Sequence, residues 1–159
     1  MRPAWLVLAL ALASAGAGAV SLSGRTGLGA SLHDFGGTAT FSAQYHLTRH
    51  FALTGQVGFD TAPSRRVAIA ALKIRRNLAL EENAIFYSAM AGAYLSSRGS
   101  PTPESGWEVD WLLGLEFFLP GLPSLGLQFE TGVGYRTLGE GTLRTLGSGL
   151  LGLGFHYYF

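Results

Sequence analysis

The sequence predicts an all-β fold, an eight-stranded antiparallel up-and-down transmembrane β-barrel preceded by a cleavable signal peptide. Three observations predict it. Apolar residues make up 48% of the 159-residue chain, yet no run after Ala19 is long and apolar enough for a membrane helix. Apolar residues instead alternate with polar or small ones in stretches of about ten, a period that sends one strand face to lipid and the other into a lumen. The chain also ends on such a stretch, with Phe159, Tyr157, Phe155, Leu153 and Leu151 on one face and Tyr158, His156, Gly154 and Gly152 on the other.

The first segment stands apart from this pattern. Arg2 supplies a positive region, Ala4 to Leu12 an apolar one, and Ala13 to Ala19 a run of small residues. That is the order of a secretory signal peptide, and the small-residue box argues against an uncleaved anchor. Cleavage is expected after Ala19, with Ala17 and Ala15 as alternatives, which leaves residues 20–159 as a single barrel domain.

Each strand follows from its alternation. Strand one is expected over Ser21 to Leu32, with Leu22, Thr26, Leu28, Ala30 and Leu32 outward and Ser23, Arg25, Gly27, Gly29 and Ser31 inward. His33 to Gly37 form a turn-rich loop, with His33 solvated. Strand two, Thr38 to Leu47, sets Phe41, Ala43 and Tyr45 against Thr40, Ser42, Gln44 and His46. After a tight turn at Thr48 to His50, strand three runs from Phe51 to Asp60, and Thr61 to Arg66 form the next loop. Strand four, Val67 to Arg75, points Ala68, Ala70, Leu72 and Ile74 outward, which sends Lys73 and Arg75 inward. Arg76 to Asn83 reads as a longer turn or a short helical insert, given the helix propensity of Leu78 to Glu82.

Strand five, Ala84 to Ser96, is apolar on both alternating sets, so its orientation stays open. Ser97 to Gly106, with Pro101 and Pro103, is the longest polar connection and the expected mobile loop. Strand six begins at Trp107 and sets Trp107, Val109, Trp111, Leu113, Leu115 and Phe117 opposite Glu108, Asp110, Leu112, Gly114, Glu116 and Phe118. Pro120 to Pro123 turn the chain into strand seven, with Leu127, Phe129, Val133 and Tyr135 outward and Gln128, Glu130 and Arg136 inward. Thr137 to Thr145 form the last loop, and strand eight runs to Phe159. The turns at Thr48 and Pro120 are assigned to the periplasm, and the loops near His33, Thr61, Ser97 and Thr137 to the outside.

With its signal peptide, eight alternating segments and terminal Phe159, the mature chain resembles the small outer-membrane barrels of the OmpA transmembrane-domain and OmpX type. The resemblance implies an integral bacterial outer-membrane protein, monomeric, surrounded by outer-membrane lipid. Phe155, Tyr157 and Phe159 look like the C-terminal signal through which the barrel-insertion machinery recognises such strands. Two departures are expected: outer loops short for a barrel that binds cells or proteins, and no periplasmic domain after strand eight.

Composition narrows the chemistry. There is no cysteine, so disulfides and thiolate metal sites are excluded, and a net charge of +1 offers no basic patch for nucleic acid. The 23 glycines follow no triplet repeat and are expected to allow close approach inside a narrow barrel.

The expected site is a lumen charge network, Arg25, Lys73, Arg75 and Arg136 against Glu108, Asp110, Glu116 and Glu130. A turn symmetric about Leu122 would set Glu108 opposite Arg136, with Asp110 diagonal to it, and Gly114 opposite Glu130, with Glu116 diagonal. Two carboxylates that close require a cation, and Arg25 or Lys73 could supply it. Since an eight-stranded barrel is just wide enough for its own side chains to fill, these charges are read as a plug. A gate in which Arg25 exchanges partners is the sharper alternative.

Catalysis is weighed against this because some small barrels modify lipid A with His and Ser residues. Ser42 and His46 share a face, but four residues along a strand separate them by roughly 13 Å, too far for a nucleophile and its base. His46 and His156 are expected near the periplasmic rim, without a third ligand for a metal. A soluble barrel or sandwich would invert the two faces. The sequence therefore points to a structural or interaction protein with a plugged lumen, without enzymatic activity, metal or cofactor. The alternatives are a narrow channel, a carrier of small molecules including hydrophobic ones, and a lipid A-modifying enzyme. A carrier would need a dry lumen pocket, for which Leu112, Phe118 and Leu150 are the large inward apolar residues.

Overall fold

The computed structural model describes residues 20–32, 35, 38–62, 65–99, 104–137, 141–145 and 151–159. Expectations for the signal peptide at 1–19, and for His33, Pro63, Pro101, Pro103 and Leu150, lie outside the described residues.

Nine strands form among the described residues: β1 Thr26–Leu32, β2 Thr40–His46, β3 Phe51–Ala62, β4 Arg65–Leu80, β5 Ala84–Arg98, β6 Glu104–Leu119, β7 Leu122–Arg136, β8 Thr142–Thr145 and β9 Gly152–Tyr158. Neighbours in sequence pair antiparallel from β1 to β7. β8 pairs with the far end of β7 and β9 with its near end, so the two together occupy the eighth position. Pairing of β9 with β1 then closes the sheet. Closure pairs the backbone polar groups around the ring formed by β1 to β7 and β9, as a sheet that spans lipid without a helix requires.

The alternation sorts side chains as a membrane barrel needs. β2 reads buried at Thr40, Ser42, Gln44 and His46 and exposed between them. Outside, Phe41 is 65% exposed, Trp107 62% and Phe159 64%, in a band of large apolar side chains that wraps the sheet. So wide an apolar surface is untenable in water and suited to hydrocarbon.

Four expectations need correction. Strand one does not start at Ser21. A turn at Ser23 and Gly24, where Gly24 has φ 77° and Arg25 N–H donates to the Leu22 carbonyl at 2.9 Å, reverses the chain, so Leu22 is buried rather than outward. Arg76 to Asn83 contains no helix; β4 continues to Leu80 and absorbs Leu78 as a bulge between Asn77 and Ala79, because ladder hydrogen bonds to β5 outweigh the propensity of a segment too short to hold a helix alone. Thr142–Thr145 form β8 where a loop was expected. The turn from β6 to β7 is not symmetric about Leu122: it closes at Leu119 and Leu122 around Pro120 and Gly121 (φ 86°), and an irregularity restores the Glu108 to Arg136 register further along.

β5 resolves its open orientation. Ile85, Tyr87, Ala89, Ala91, Ala93 and Leu95 point inward, while Phe86, Met90 and Tyr94 point outward.

Candidate functional site: the lumen

Along β6, Phe118, Glu116, Gly114, Leu112, Asp110 and Glu108 face the interior in succession. Nearest the short-turn end is an apolar layer of Leu22, Ile85, Phe118 and Tyr158, against which Val20 and Leu80 pack. The segment before β1 is laid across this mouth by its backbone: Val20 N–H donates to the Glu81 carbonyl at 3.1 Å and Gly24 N–H to the His46 carbonyl at 2.8 Å. Leu22 is thereby held as a stopper.

Arg75 and Glu116 form the next layer. Arg75 Nη1 meets Glu116 Oε2 at 2.5 Å, with both side chains almost wholly buried. Further contacts hold both groups, although Arg75 Nη2 has no hydrogen-bond partner among the described residues. Tyr158 donates to Glu116 Oε1 at 2.6 Å, Arg75 Nε donates to Asn77 Oδ1 at 2.8 Å, and the guanidinium carbon lies 3.8 Å over the Tyr87 ring. Gln44 extends the network, donating to Tyr158 Oη at 2.7 Å and accepting from Thr54 Oγ1 at 2.9 Å.

Above it, Lys73 Nζ donates to Glu130 at 2.9 and 2.7 Å, and Tyr87 Oη donates to the same carboxylate at 2.7 Å. An apolar layer follows, in which Phe35, Val67, Ile69 and Leu95 join Leu112 and the β5 alanines. At the far end Glu108 takes two arginines: Arg136 donates at 2.9 and 2.7 Å to Oε2, and Arg144 Nη2 lies 2.6 Å from Oε1. Asp110 is buried on the same face, its carboxylate against the backbone of Gly134.

Small wall positions make these crossings fit. Gly114 faces Tyr87 in register, and a Cβ there would run into the phenol ring. At Gly126 a Cβ would run into the Glu116 carboxylate, and at Gly29 into the Phe155 carbonyl and then the His156 ring.

The structure thus brings Lys73 to Glu130, Arg75 to Glu116 and Arg136 to Glu108. Arg25 does not join them, which corrects its expected role as the exchanging cation. Its Nη2 donates to Ser124 Oγ at 3.4 Å, because the Ser23–Gly24 turn leaves it at the mouth. Phe155, Tyr157 and Phe159 are exposed on the outward face of the last strand. Arg144, Tyr87 and Tyr158 are network members that sequence reasoning missed. The two tyrosines sit on faces that alternation could have read, whereas Arg144 lies in a segment taken for a loop.

A further contact was also missed. Ser42 Oγ lies 2.8 Å from His156 Nε2, both buried, although β1 separates their strands. Gly29 faces Ser42 on one side and His156 on the other, and its missing side chain lets the two meet. His156 Nδ1 has no hydrogen-bond partner among the described residues. The described residues hold no group of three or more His, Asp or Glu placed for a metal.

Fold and lumen together define a closed eight-position antiparallel barrel with charged and apolar layers inside and an apolar exterior. A crystal structure of the N-terminal β-barrel domain of Pseudomonas aeruginosa OprF superposes on it with a TM-score of 0.61, over 86% of this chain and 98% of that domain, at 14% sequence identity. That likeness is one of fold. No protein-family model and no curated protein sequence matches the chain.

Proposed function

We propose that the protein is an integral outer-membrane barrel with a structural or interaction role, whose lumen is plugged by its own side chains. The observation that carries this reading is the stack of closed layers: an apolar stopper at Leu22 and Phe118, the buried Arg75–Glu116 and Lys73–Glu130 pairs, an apolar layer around Leu112, and Glu108 with its two arginines. The Arg75–Glu116 and Lys73–Glu130 layers are expensive to open, since separating a buried pair leaves two uncompensated charges. The outward band of aromatic and branched residues supports residence in lipid, and the exposed Phe155, Tyr157 and Phe159 suit presentation of the last strand to the insertion machinery.

The same stack disfavours a narrow channel or carrier, because apolar and charged layers both lie across the lumen, and neither a wet nor a dry path suits both. Catalysis is disfavoured by the enclosed position of Ser42 and His156. The test is conductance of the refolded mature chain in planar bilayers, paired with heat-modifiable gel mobility as the check of folding. A folded, silent barrel is expected, and discrete openings in a folded sample would refute the plug.

A further inference from the structure

The outward face at the loop end of β3, β4 and β5 carries an arrangement that the lumen does not explain. Arg66 and Arg98 are direct cross-strand partners, both exposed, and Thr61 opposes Arg66 from the other side. Like charges set directly opposite one another on a sheet are destabilising. One row below are Phe59, Ala68 and Ser96, again in register. These residues line a surface pocket of about 290 Å³. Asp60 also lines it, from the row that opposes the inward Val67, so its described lining holds two arginines and one carboxylate.

The height of the pair is set by the strands. Two rows nearer the barrel centre, Tyr94 packs edge-on against Trp107 with ring centroids 5.1 Å apart, an outward aromatic pair of the sort that marks a membrane interface. On β5, Phe86 is the first large outward aromatic from the turn end, and about ten residues of tilted strand cross the hydrocarbon. Arg98 therefore falls just beyond the apolar band, at the level of headgroups rather than in hydrocarbon or far out in solvent.

We propose that Arg66 and Arg98 bind a phosphate on the headgroup of an outer-leaflet lipid, a phosphorylated glucosamine lipid of the lipid A class. The inference rests on the outer-membrane reading and its orientation. Two guanidinium forks on adjacent strands present planar donor pairs that match phosphate oxygens. The phosphate relieves the repulsion between them, Thr61 and Ser96 offer hydroxyls to the sugar, and Phe59 and Ala68 give the start of the acyl chains an apolar floor. The effect is to fix one lipid against the β3 to β5 wall.

The experiment is native mass spectrometry of the refolded full mature chain with two probes, bisphosphorylated lipid A and its dephosphorylated form. The wild type is expected to prefer the phosphorylated lipid at least tenfold. That preference should disappear in the Arg66→Gln, Arg98→Gln double variant, be intermediate in each single variant, and persist in Arg76→Gln, which removes an exposed arginine elsewhere on β4. Equal binding of the two lipids by the wild type overturns the site, as does a preference unchanged in the single variants. Displacement of the lipid by millimolar inorganic phosphate alone would reduce it to a non-specific anion site and overturn the lipid assignment. Fractionation of cells expressing the chain separates the two ideas. Absence from the outer membrane refutes the location, whereas an outer-membrane protein with no phosphate preference refutes only this site.

Discussion

Glu116→Gln is the substitution that most directly tests the buried network. It preserves size and leaves an oxygen to accept from Tyr158, but it removes the only charge facing Arg75 at salt-bridge distance among the described residues. Arg75 is fully buried, so it cannot turn to water. Leaving such a charge unpaired costs about 3–5 kcal/mol. Two contacts survive the change: the Asn77 hydrogen bond and the Tyr87 ring under the guanidinium. A desolvated cation over an aromatic face is worth about 2 kcal/mol, which places the expected loss near the lower end, at about 3 kcal/mol. Glu108→Gln supplies the internal comparison. Its two arginines have side chains 13% and 22% exposed and can reach solvent, so its loss should be about 1 kcal/mol. The assay is urea unfolding of the refolded barrel in lipid vesicles, followed by tryptophan fluorescence and by gel mobility. Adding Arg75→Met to Glu116→Gln should restore most of the loss, because it removes the stranded charge. A Glu116→Gln loss no larger than that of Glu108→Gln, or no recovery in the double variant, would refute the claim that burial makes this pair the costly layer.

Other consequences can be checked with the same material. Glu130→Ala is expected to leave the barrel silent in planar bilayers, since the Leu22 stopper, the Arg75–Glu116 pair and the Glu108 cluster still close it; raised conductance would favour a gate. Leu22→Asp should loosen the mouth and lower stability by about 2–4 kcal/mol through the loss of a buried apolar side chain and the burial of a carboxylate, read as a lower urea midpoint. Gly114→Ala drives a methyl into the Tyr87 ring, and about 1–3 kcal/mol should be lost as Tyr87 moves from Glu130 and Arg75. Overproduction of the wild type should leave the mass spectrum of lipid A the same as overproduction of Ser42→Ala; a mass change abolished by Ser42→Ala would establish catalysis.

The strands were legible wherever the two faces differ in polarity. β2 and β7 show this, and β6 does apart from the inward Leu112 and Phe118, since each opposes large apolar side chains to polar or glycine positions, and a period of two then assigns both faces at once. β5 defeats that logic because its inner face packs against Val67, Ile69 and Leu112, so hydrocarbon lies on one side and an apolar layer on the other. Size separates what polarity cannot: Ala89, Ala91 and Ala93 point into a crowded lumen, while Phe86, Met90 and Tyr94 point to open lipid. The fourth strand was cut short for a related reason. Its turn-end half pairs with β5 on both sides of the Leu78 bulge, and local helix propensity carries no information about a partner strand.

The charge network was half legible, and the boundary falls where through-lumen geometry takes over from register. Glu108 and Arg136 are cross-strand neighbours, so counting along two strands finds them. The assumed turn was wrong, yet the count holds because the irregularity after Phe118 makes up the difference. Lys73 with Glu130 and Arg75 with Glu116 join β4 to β7 and to β6 across the interior, and no spacing in the sequence encodes that reach. What permits it is the missing bulk at the wall. Tyr87 crosses Gly114 to reach Glu130 and support Arg75, and Glu116 lies against Gly126 where Tyr158 meets it. Ser42 and His156 meet beside Gly29 in the same way. In a barrel this narrow, Gly114 and Gly126 are therefore as much a part of the polar network as the charged residues, because each marks where a long side chain must pass.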